Sequence, residues 1–229
     1  MNINYSENKF TFNDGRKFNN YSRGYGATSL IVKSLGPQWS VGQRASVSSS
    51  TFLNQELAAR VAPAIEYNFF PYSESTRRQL TLQYSAGLNH FRYEDTTIYN
   101  EIRETLGDQA LIASLDVKQP WGSVSTSLEA AAFIHDFSKQ RLVFFTNLDW
   151  RLIKGLSVSL SGNASLIRDQ LYIAGGELSD EQVLLRRRQL ATSYRYFVSA
   201  GLSYSFGSIY SNVVNSRFGG TSGGTVFFF

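Results

Sequence analysis

The sequence contains no cysteine, only four prolines and a single methionine. Without cysteine, a disulfide framework, a thiolate metal site and a cysteine nucleophile are all excluded. No run of about 18 consecutive apolar residues occurs, so a membrane-spanning helix is also excluded. The first residues, Met1 to Tyr5, lack the basic region and apolar core of a secretory signal. We therefore expect that any export signal was removed or lies upstream; a cytosolic protein is the competing explanation.

The composition favours an all-β protein. Aromatic residues make up 14% of the chain, with 17 Phe and 13 Tyr against 3 Trp, and glycine and serine are abundant. The net charge of +4 is mild, and the charged residues are scattered along the sequence. A solvated surface explains this charge better than a nucleic-acid interface, so we expect no nucleic-acid partner.

The clearest pattern is a strict alternation from Tyr194 to Phe206. Tyrosine, valine, alanine and leucine occupy one phase, whereas Arg195 and small polar residues dominate the other. A period of two predicts an extended strand with one apolar and one polar face. About a dozen such residues are enough to cross a bilayer as a tilted strand.

The same alternation recurs along most of the chain and is interrupted by turn signals, which predicts about ten strands joined as hairpins. The stretch from Ile3 to Phe12 is the least regular, and we expect a bulge near Glu7 to reconcile its two phases. Pro63 lies inside a predicted strand and lacks an N–H group. It therefore predicts a bulge or a locally unpaired neighbour.

The predicted connections alternate in kind. One set is generally short, and the other set contains both long polar stretches, 93–105 and 168–187. Short turns at one end and longer loops at the other are typical of bacterial outer-membrane barrels. The sequence therefore predicts an all-β, antiparallel, up-and-down transmembrane β-barrel of about ten strands over residues 1–207. A C-terminal tail, 208–229, follows it.

Alternation alone does not decide which face is outside, because a soluble barrel has its apolar face inside. Two features favour an apolar exterior here. Small Ser, Gly and Asn residues dominate the polar face, which suits a narrow interior. That face also carries isolated charges of both signs, which we expect to pair in a network inside the lumen. These charges are Arg44, Arg60, Glu66, Asp116, Lys118, Glu129, Asp149, Arg151 and Arg195.

Large aromatic residues near the predicted strand ends suggest a girdle at the membrane interface. The girdle candidates are Trp39, Tyr67, Phe69, Trp150, Tyr204 and Phe206.

Three stretches, Val32–Ser40, Phe70–Arg78 and Arg188–Ser208, resemble the C-terminal barrel region of an uncharacterised family of Gram-negative outer-membrane proteins. The resemblance implies additional N-terminal sequence and two more strands, twelve in all. The terminal residues 227–229 are all Phe, which is similar to the C-terminal signal read by the barrel-assembly machinery. The glycine-rich stretch 219–224 separates them from the last clear strand.

Catalytic chemistry has little support in the sequence. The only two histidines, His90 and His135, lie near the long-loop ends of their strands, where outer-membrane proteases place Asp and His residues. By alternation His135 faces the polar side and His90 the apolar side, so they do not converge, even with Glu94, Asp95 and Asp136 nearby. We therefore predict no catalytic residues, no metal site and no cofactor.

The run Arg186, Arg187, Arg188 is a candidate contact for lipopolysaccharide phosphates, although the polar start of the last strand explains it more simply.

The expected function is a non-enzymatic structural or anchor barrel in the bacterial outer membrane, acting through its loops, with a side-chain-filled lumen. Its expected partners are membrane lipid, lipopolysaccharide, the barrel-assembly machinery and a larger assembly or oligomer. A small pore or passive channel is the alternative, and a hydrolase with its site at the rim is the third hypothesis.

Overall fold

The computed structural model describes residues 1–11, 17–176 and 191–205. Within these ranges the chain forms ten strands, with one short 3-10 helix at Tyr72–Glu74. The strands are β1 (Asn2–Thr11), β2 (Lys17–Ser34), β3 (Trp39–Ser50), β4 (Gln55–Asn68), β5 (Arg78–Tyr93), β6 (Arg103–Gln119), β7 (Gly122–Phe133), β8 (Gln140–Ile153), β9 (Leu156–Ile167) and β10 (Tyr194–Tyr204).

Each strand pairs antiparallel with the next strand in the sequence, so the sheet order is simply β1 to β10. The hairpins β6–β7 and β8–β9 each have only two connecting residues, and the second includes Gly155, whose φ of +86° falls in the region that only glycine adopts without strain. The prediction of an all-β, antiparallel, up-and-down fold of ten strands is confirmed. Among the described residues, β1 pairs only with β2 and β10 only with β9, so the sheet is open at these two edges.

The pairing register carries the alternation from one strand to the next. Tyr67 lies opposite Leu82, and Leu82 lies opposite Ala113. In the other phase, Glu66 lies opposite Gln83. The sheet from β3 to β10 therefore has one apolar and one polar face, as the sequence predicts.

The polar face is the covered one. On β5, Thr81, Ser85 and Asn89 are only 6%, 7% and 5% exposed, whereas Leu88 on the apolar face is 60% exposed. Around β5 the sheet therefore curls around its polar side and turns its apolar side outward, whereas at the edge strand β10 both faces are exposed. A soluble β-barrel has the opposite arrangement.

Two predictions about strand regularity have different outcomes. The predicted bulge near Glu7 is wrong, because β1 pairs with β2 without a register shift from Asn2 to Thr11. The pairing continues without interruption through Ser6, Glu7 and Asn8, so no extra residue absorbs the change of phase in the sequence. The prediction for Pro63 is confirmed, since β4 and β5 pair at Val61 and Ala64 but not at the two positions between them.

The two ends of the sheet carry different connections. The short-turn end has the hairpins β2–β3, β6–β7 and β8–β9, together with the longer connection 69–77. The long-loop end has the connections 94–102 and 168–193. The connections 69–77 and 94–102 are equally long, so the difference in loop length between the two ends depends mainly on the connection 168–193. Among the described residues, no helix is long and apolar enough to cross a bilayer.

Candidate functional site: the polar face

All the charges predicted from the sequence to face the interior lie in the polar phase of the pairing register. They are Arg44, Arg60, Glu66, Asp116, Lys118, Glu129, Asp149, Arg151 and Arg195. Two of them form ion pairs with described residues, and both partners are residues that the sequence prediction did not include.

The first ion pair joins Arg60 on β4 to Asp108 on β6. Arg60 Nη2 lies 2.8 Å from Asp108 Oδ2, and the Arg60 Nε atom donates to the same carboxylate at 3.2 Å. Asn89 on β5 donates from Nδ2 to Asp108 Oδ1 at 2.8 Å. The carboxylate is therefore held by donors from two neighbouring strands, and its side chain is only 16% exposed.

The space for this ion pair comes from Gly87 on β5. A Cβ atom at residue 87 would collide with Asp108 Oδ1 and would lie 2.9 Å from Arg60 Nη2. A side chain at residue 87 would therefore force the charged groups of Asp108 and Arg60 to move.

The second cluster centres on Arg141 of β8. Its Nη2 atom donates to Glu129 Oε1 on β7 at 2.7 Å, and its Nη1 atom donates to Asp169 Oδ2 at 3.1 Å. Asp169 belongs to the segment that leaves β9, so one guanidinium ties two strands to a loop. Together the two clusters span the polar face from β4 to the end of β9.

The remaining predicted charges have no ion pair with another described residue. Arg44 and Glu66 line a cavity of about 400 Å³ on the polar face, together with Arg60, Asp108 and Arg141. Asp116, Lys118, Asp149, Arg151 and Arg195 share the face but do not line this cavity. The structure thus brings some of the predicted charges into a network and leaves the others unpaired within the described ranges.

The long-loop end is covered by a cap built around Asn54, a residue in the β3–β4 turn. Its Nδ2 atom donates to the carbonyl oxygens of Asp95 at 2.8 Å and Tyr172 at 3.2 Å, while its Oδ1 atom accepts from the Asp95 N–H at 2.8 Å. Asn54 is 5% exposed and has a φ of +54°, a conformation that asparagine tolerates better than most residues. One amide side chain therefore connects three separate segments.

Backbone hydrogen bonds complete the cap. Ile98 N–H donates to the Ile173 carbonyl at 2.9 Å, and Gly175 N–H donates to the Thr96 carbonyl at 2.7 Å. Leu171 and Thr97 are buried between these segments, at 6% and 2% exposure. The segment 168–176 therefore runs from Arg141 on β8 to the β3–β4 turn and crosses over the polar face.

Tyr172 of this segment has a phenol that stays neutral. Burial raises the pKa of Tyr172, and its hydroxyl accepts a hydrogen bond from Gln170 Nε2 at 3.4 Å. Gln170 in turn accepts the N–H of Thr192 at 2.8 Å, which anchors the segment close to the start of β10.

The two histidines contact different residues. His90 on the apolar face makes a 2.8 Å contact from Nδ1 to the Thr105 hydroxyl. His135 packs beside Phe133, with ring centroids 5.8 Å apart. A hydrogen bond from Ser138 lowers the pKa of Asp136, because that carboxylate caps its own loop. No group of three or more His, Cys, Asp or Glu residues within the described ranges is placed to hold a metal ion.

The described girdle candidates all lie at the short-turn end. Trp39 and Tyr67 pack with ring centroids 4.8 Å apart, and Tyr67 and Phe69 with centroids 5.1 Å apart. Trp150 is 49% exposed and Tyr204 63% exposed on the same apolar face. These residues form one aromatic band rather than two, whereas Phe206 lies outside the described residues.

Three residues of this site were missed from the sequence. Asp108 and Arg141 fall in the polar phase of their strands, but the predicted strands began later, near Leu111 and Leu142. If the alternation is continued toward the N-terminal end of each strand, both residues fall in the polar phase. The role of Asn54 has no local signal, because its partners lie 41 and 118 residues away. The candidate lipopolysaccharide contacts Arg186, Arg187 and Arg188, and the tail 208–229, lie outside the described residues.

Comparisons with known proteins leave the fold as the most specific class that this chain can be assigned. No protein-family model matches it. No curated protein and no solved structure matches it either. The class defined by the structure is an antiparallel up-and-down sheet of ten strands with a covered polar face.

Proposed function

We propose that this chain forms a closed β-barrel in a bacterial outer membrane and acts as a non-enzymatic structural or anchoring protein. The observation that carries the proposal is the polarity of the sheet. Side chains such as Leu88 and Val61 are 60% and 46% exposed on one face, while Asn89 and Ala62 are 5% and 1% exposed on the other. Burying the apolar face in lipid removes it from water, which is favourable at about 25 cal/mol per Å².

Closure of the barrel is part of the proposal. In hydrocarbon an unpaired strand edge leaves backbone N–H and C=O groups without partners, which costs several kcal/mol for each group. With ten strands in up-and-down order, β1 and β10 run antiparallel and are suited to pair. A ten-strand barrel is narrow, in keeping with the small side chains of the polar face.

A plugged interior is supported better than a conducting pore. The segment 168–176 crosses the long-loop end and is held by Asn54 and Arg141. The ion pairs of Arg60 and Arg141 occupy the polar face below it. The lumen is therefore obstructed by both side chains and backbone, and the exposed loops are the parts left to contact partners. Lipid, lipopolysaccharide and the barrel-assembly machinery remain the proposed partners.

Gel mobility in detergent tests the membrane barrel. The expected result is a compact form that migrates faster before boiling and shifts to the unfolded position after boiling. A chain that stays monomeric in buffer without detergent, with no heat-dependent shift, would contradict the proposal.

Planar-bilayer recording separates the plugged barrel from the alternative of a small pore. We expect no stepwise conductance from the wild-type protein. A variant with His135→Ala should match the wild type in every assay, because the plugged barrel assigns no reaction to that residue. Single-channel steps from the wild-type protein would favour the pore instead.

A further inference from the structure

The cavity on the polar face lies over a row of small residues. Five residues that follow one another as cross-strand partners from β3 to β7 form this row: Gly42, Ala64, Ser85, Ala110 and Ala131. None has a side chain longer than a hydroxymethyl group, so this part of the face is not filled. The cavity of about 400 Å³ above the row falls within the size range of small-molecule sites.

The floor of the cavity contains an unused hydrogen-bonding group. Ser85 is 7% exposed and lines the cavity between Ala64 and Ala110. Its hydroxyl has no hydrogen-bond partner among the described residues. Buried polar groups are normally hydrogen-bonded, so the hydroxyl of Ser85 is available to hydrogen-bond a molecule that enters the cavity.

The walls of the cavity carry one unpaired charge of each sign. Arg44 lies on the long-loop side of the row, opposite Ala62, and Glu66 lies on the short-turn side, next to Gln83. Neither charge has an ion pair within the described parts of the chain. The other two cavity arginines, Arg60 and Arg141, are already neutralised by carboxylates.

The spacing of these two charges limits the size of the ligand. The four residues from Ala62 to Glu66 on β4 span about 13 Å at the rise of an extended strand. Arg44 and Glu66 both line the cavity, so a ligand that contacts both must reach from one to the other. A small molecule with a carboxylate at one end and an ammonium group at the other matches these two charges.

We infer that the cavity binds a small zwitterion of amino-acid or dipeptide size. Arg44 takes the carboxylate, Glu66 takes the ammonium group, and Ser85 and Gln83 hydrogen-bond the polar atoms between them. The inference does not depend on the membrane location, because the polar face and its cavity are the same in either setting.

Calorimetry on the full chain, folded in detergent, tests the inference with L-alanyl-L-alanine as the probe. Two blocked forms are the comparison: the N-acetylated dipeptide, which lacks the ammonium group, and the C-terminal amide, which lacks the carboxylate. We expect each blocked form to bind at least about tenfold more weakly, because each lacks one of the two charged groups that pair with Arg44 and Glu66.

Variants assign each end of the probe to one residue. Arg44→Gln should abolish the preference for the free carboxylate over the amide, and Glu66→Gln should abolish the preference for the free amine over the acetylated form. Ala110→Leu should fill the cavity and remove binding. The matched control is Arg151→Gln, which changes a charge on the same face outside the cavity.

The inference is overturned if the wild type does not bind the dipeptide at millimolar concentrations, or if the blocked forms bind as tightly as the free dipeptide. It is also overturned if Arg151→Gln has the same effect as Arg44→Gln. Circular dichroism of each variant confirms that the sheet is intact. If Ala110→Leu does not fold, the two charge-removing variants still decide the result.

Discussion

Gly87 and Asp108 face each other across the β5–β6 pair, and the carboxylate of Asp108 occupies the volume where a side chain at residue 87 would lie. The guanidinium of Arg60 is close to the same volume, because its Nη2 atom lies 2.9 Å from the position that a Cβ atom of residue 87 would take. The missing side chain of one residue thus allows the ion pair of two others to form.

Gly87→Ala should therefore displace the Arg60–Asp108 ion pair and destabilise the fold by about 1–3 kcal/mol, because it leaves partly buried charges with poor partners. Denaturant unfolding in detergent measures the change. The control is Gly24→Ala on β2, where a Cβ atom makes only an ordinary 3.6 Å contact with the Ser49 carbonyl oxygen. Equal effects of the two substitutions would contradict the steric explanation.

The Arg60–Asp108 pair should also show measurable coupling in a double-mutant cycle with Arg60→Gln and Asp108→Asn. We expect about 1–2 kcal/mol, since the Asp108 side chain is only 16% exposed. The reference cycle is Arg92→Gln with Glu56→Gln, a pair at 2.8 Å whose side chains are 59% and 48% exposed. Its coupling should stay below about 0.5 kcal/mol. A larger coupling energy for Arg92 and Glu56 than for Arg60 and Asp108 would show that burial does not determine the strength of these ion pairs.

Asn54→Ala should loosen the cap at the long-loop end. The substitution removes three hydrogen bonds and leaves alanine at a φ of +54°, so we expect a loss of about 1–3 kcal/mol in local stability. Hydrogen exchange and limited proteolysis should report faster opening of 94–102 and 168–176. Asn100→Ala is the control, because Asn100 has a φ of +62° but lies in the exposed loop. If both variants open the cap equally, backbone strain rather than the Asn54 side chain is responsible.

Leu128→Arg tests whether the apolar face meets lipid. Leu128 lies near the middle of β7 and is 44% exposed. In a bilayer the substitution should cost about 2–4 kcal/mol, and the same change at Ile134, beyond the end of β7, about 0–1 kcal/mol. Folding titrations into lipid vesicles measure both values. In a water-soluble sheet an exposed leucine would tolerate the change within about 0.5 kcal/mol, so a small effect at Leu128 would contradict the membrane proposal.

Disulfide trapping tests whether β1 and β10 pair to close the barrel. The protein has no native cysteine, so only the introduced cysteines can form a disulfide. A cysteine at Ile3 is combined in turn with one at Tyr196, Val198, Ala200 or Leu202, all in the outward phase. Closure predicts that one combination gives an intramolecular disulfide in the monomer. Disulfide-linked dimers from every combination would instead indicate that the edges join separate copies.

Much of the fold could be predicted from the sequence because the alternation is a local signal that the sheet preserves. Each hairpin aligns its two strands so that the phases match, as at Tyr67 and Leu82. The strand ends were harder to predict. Tyr93 at the end of β5 and Arg103 at the start of β6 lie in polar stretches without a clear alternation, and these stretches are extended because β5 and β6 pair with each other.

The site was only partly predictable for a related reason. The face that carries Arg60 follows from the alternation, but its partner Asp108 is 48 residues away in the sequence. Strand β5 lies between them in the sheet. The space at Gly87 depends on that pairing. No local pattern encodes which charge meets which, since both the register and the curl of the sheet decide the contact.

The Asn54–Tyr172 contact also bears on the order in which the molecule assembles. Neighbouring strands are consecutive in the chain, so hairpins can form one after another from contacts that close short loops. The hydrogen bond from Asn54 to Tyr172 instead closes a loop of 118 residues and requires every strand from β4 to β9 to be in place. We therefore expect the cap to close after the strands from β4 to β9 have paired, while the interior is still open at this end.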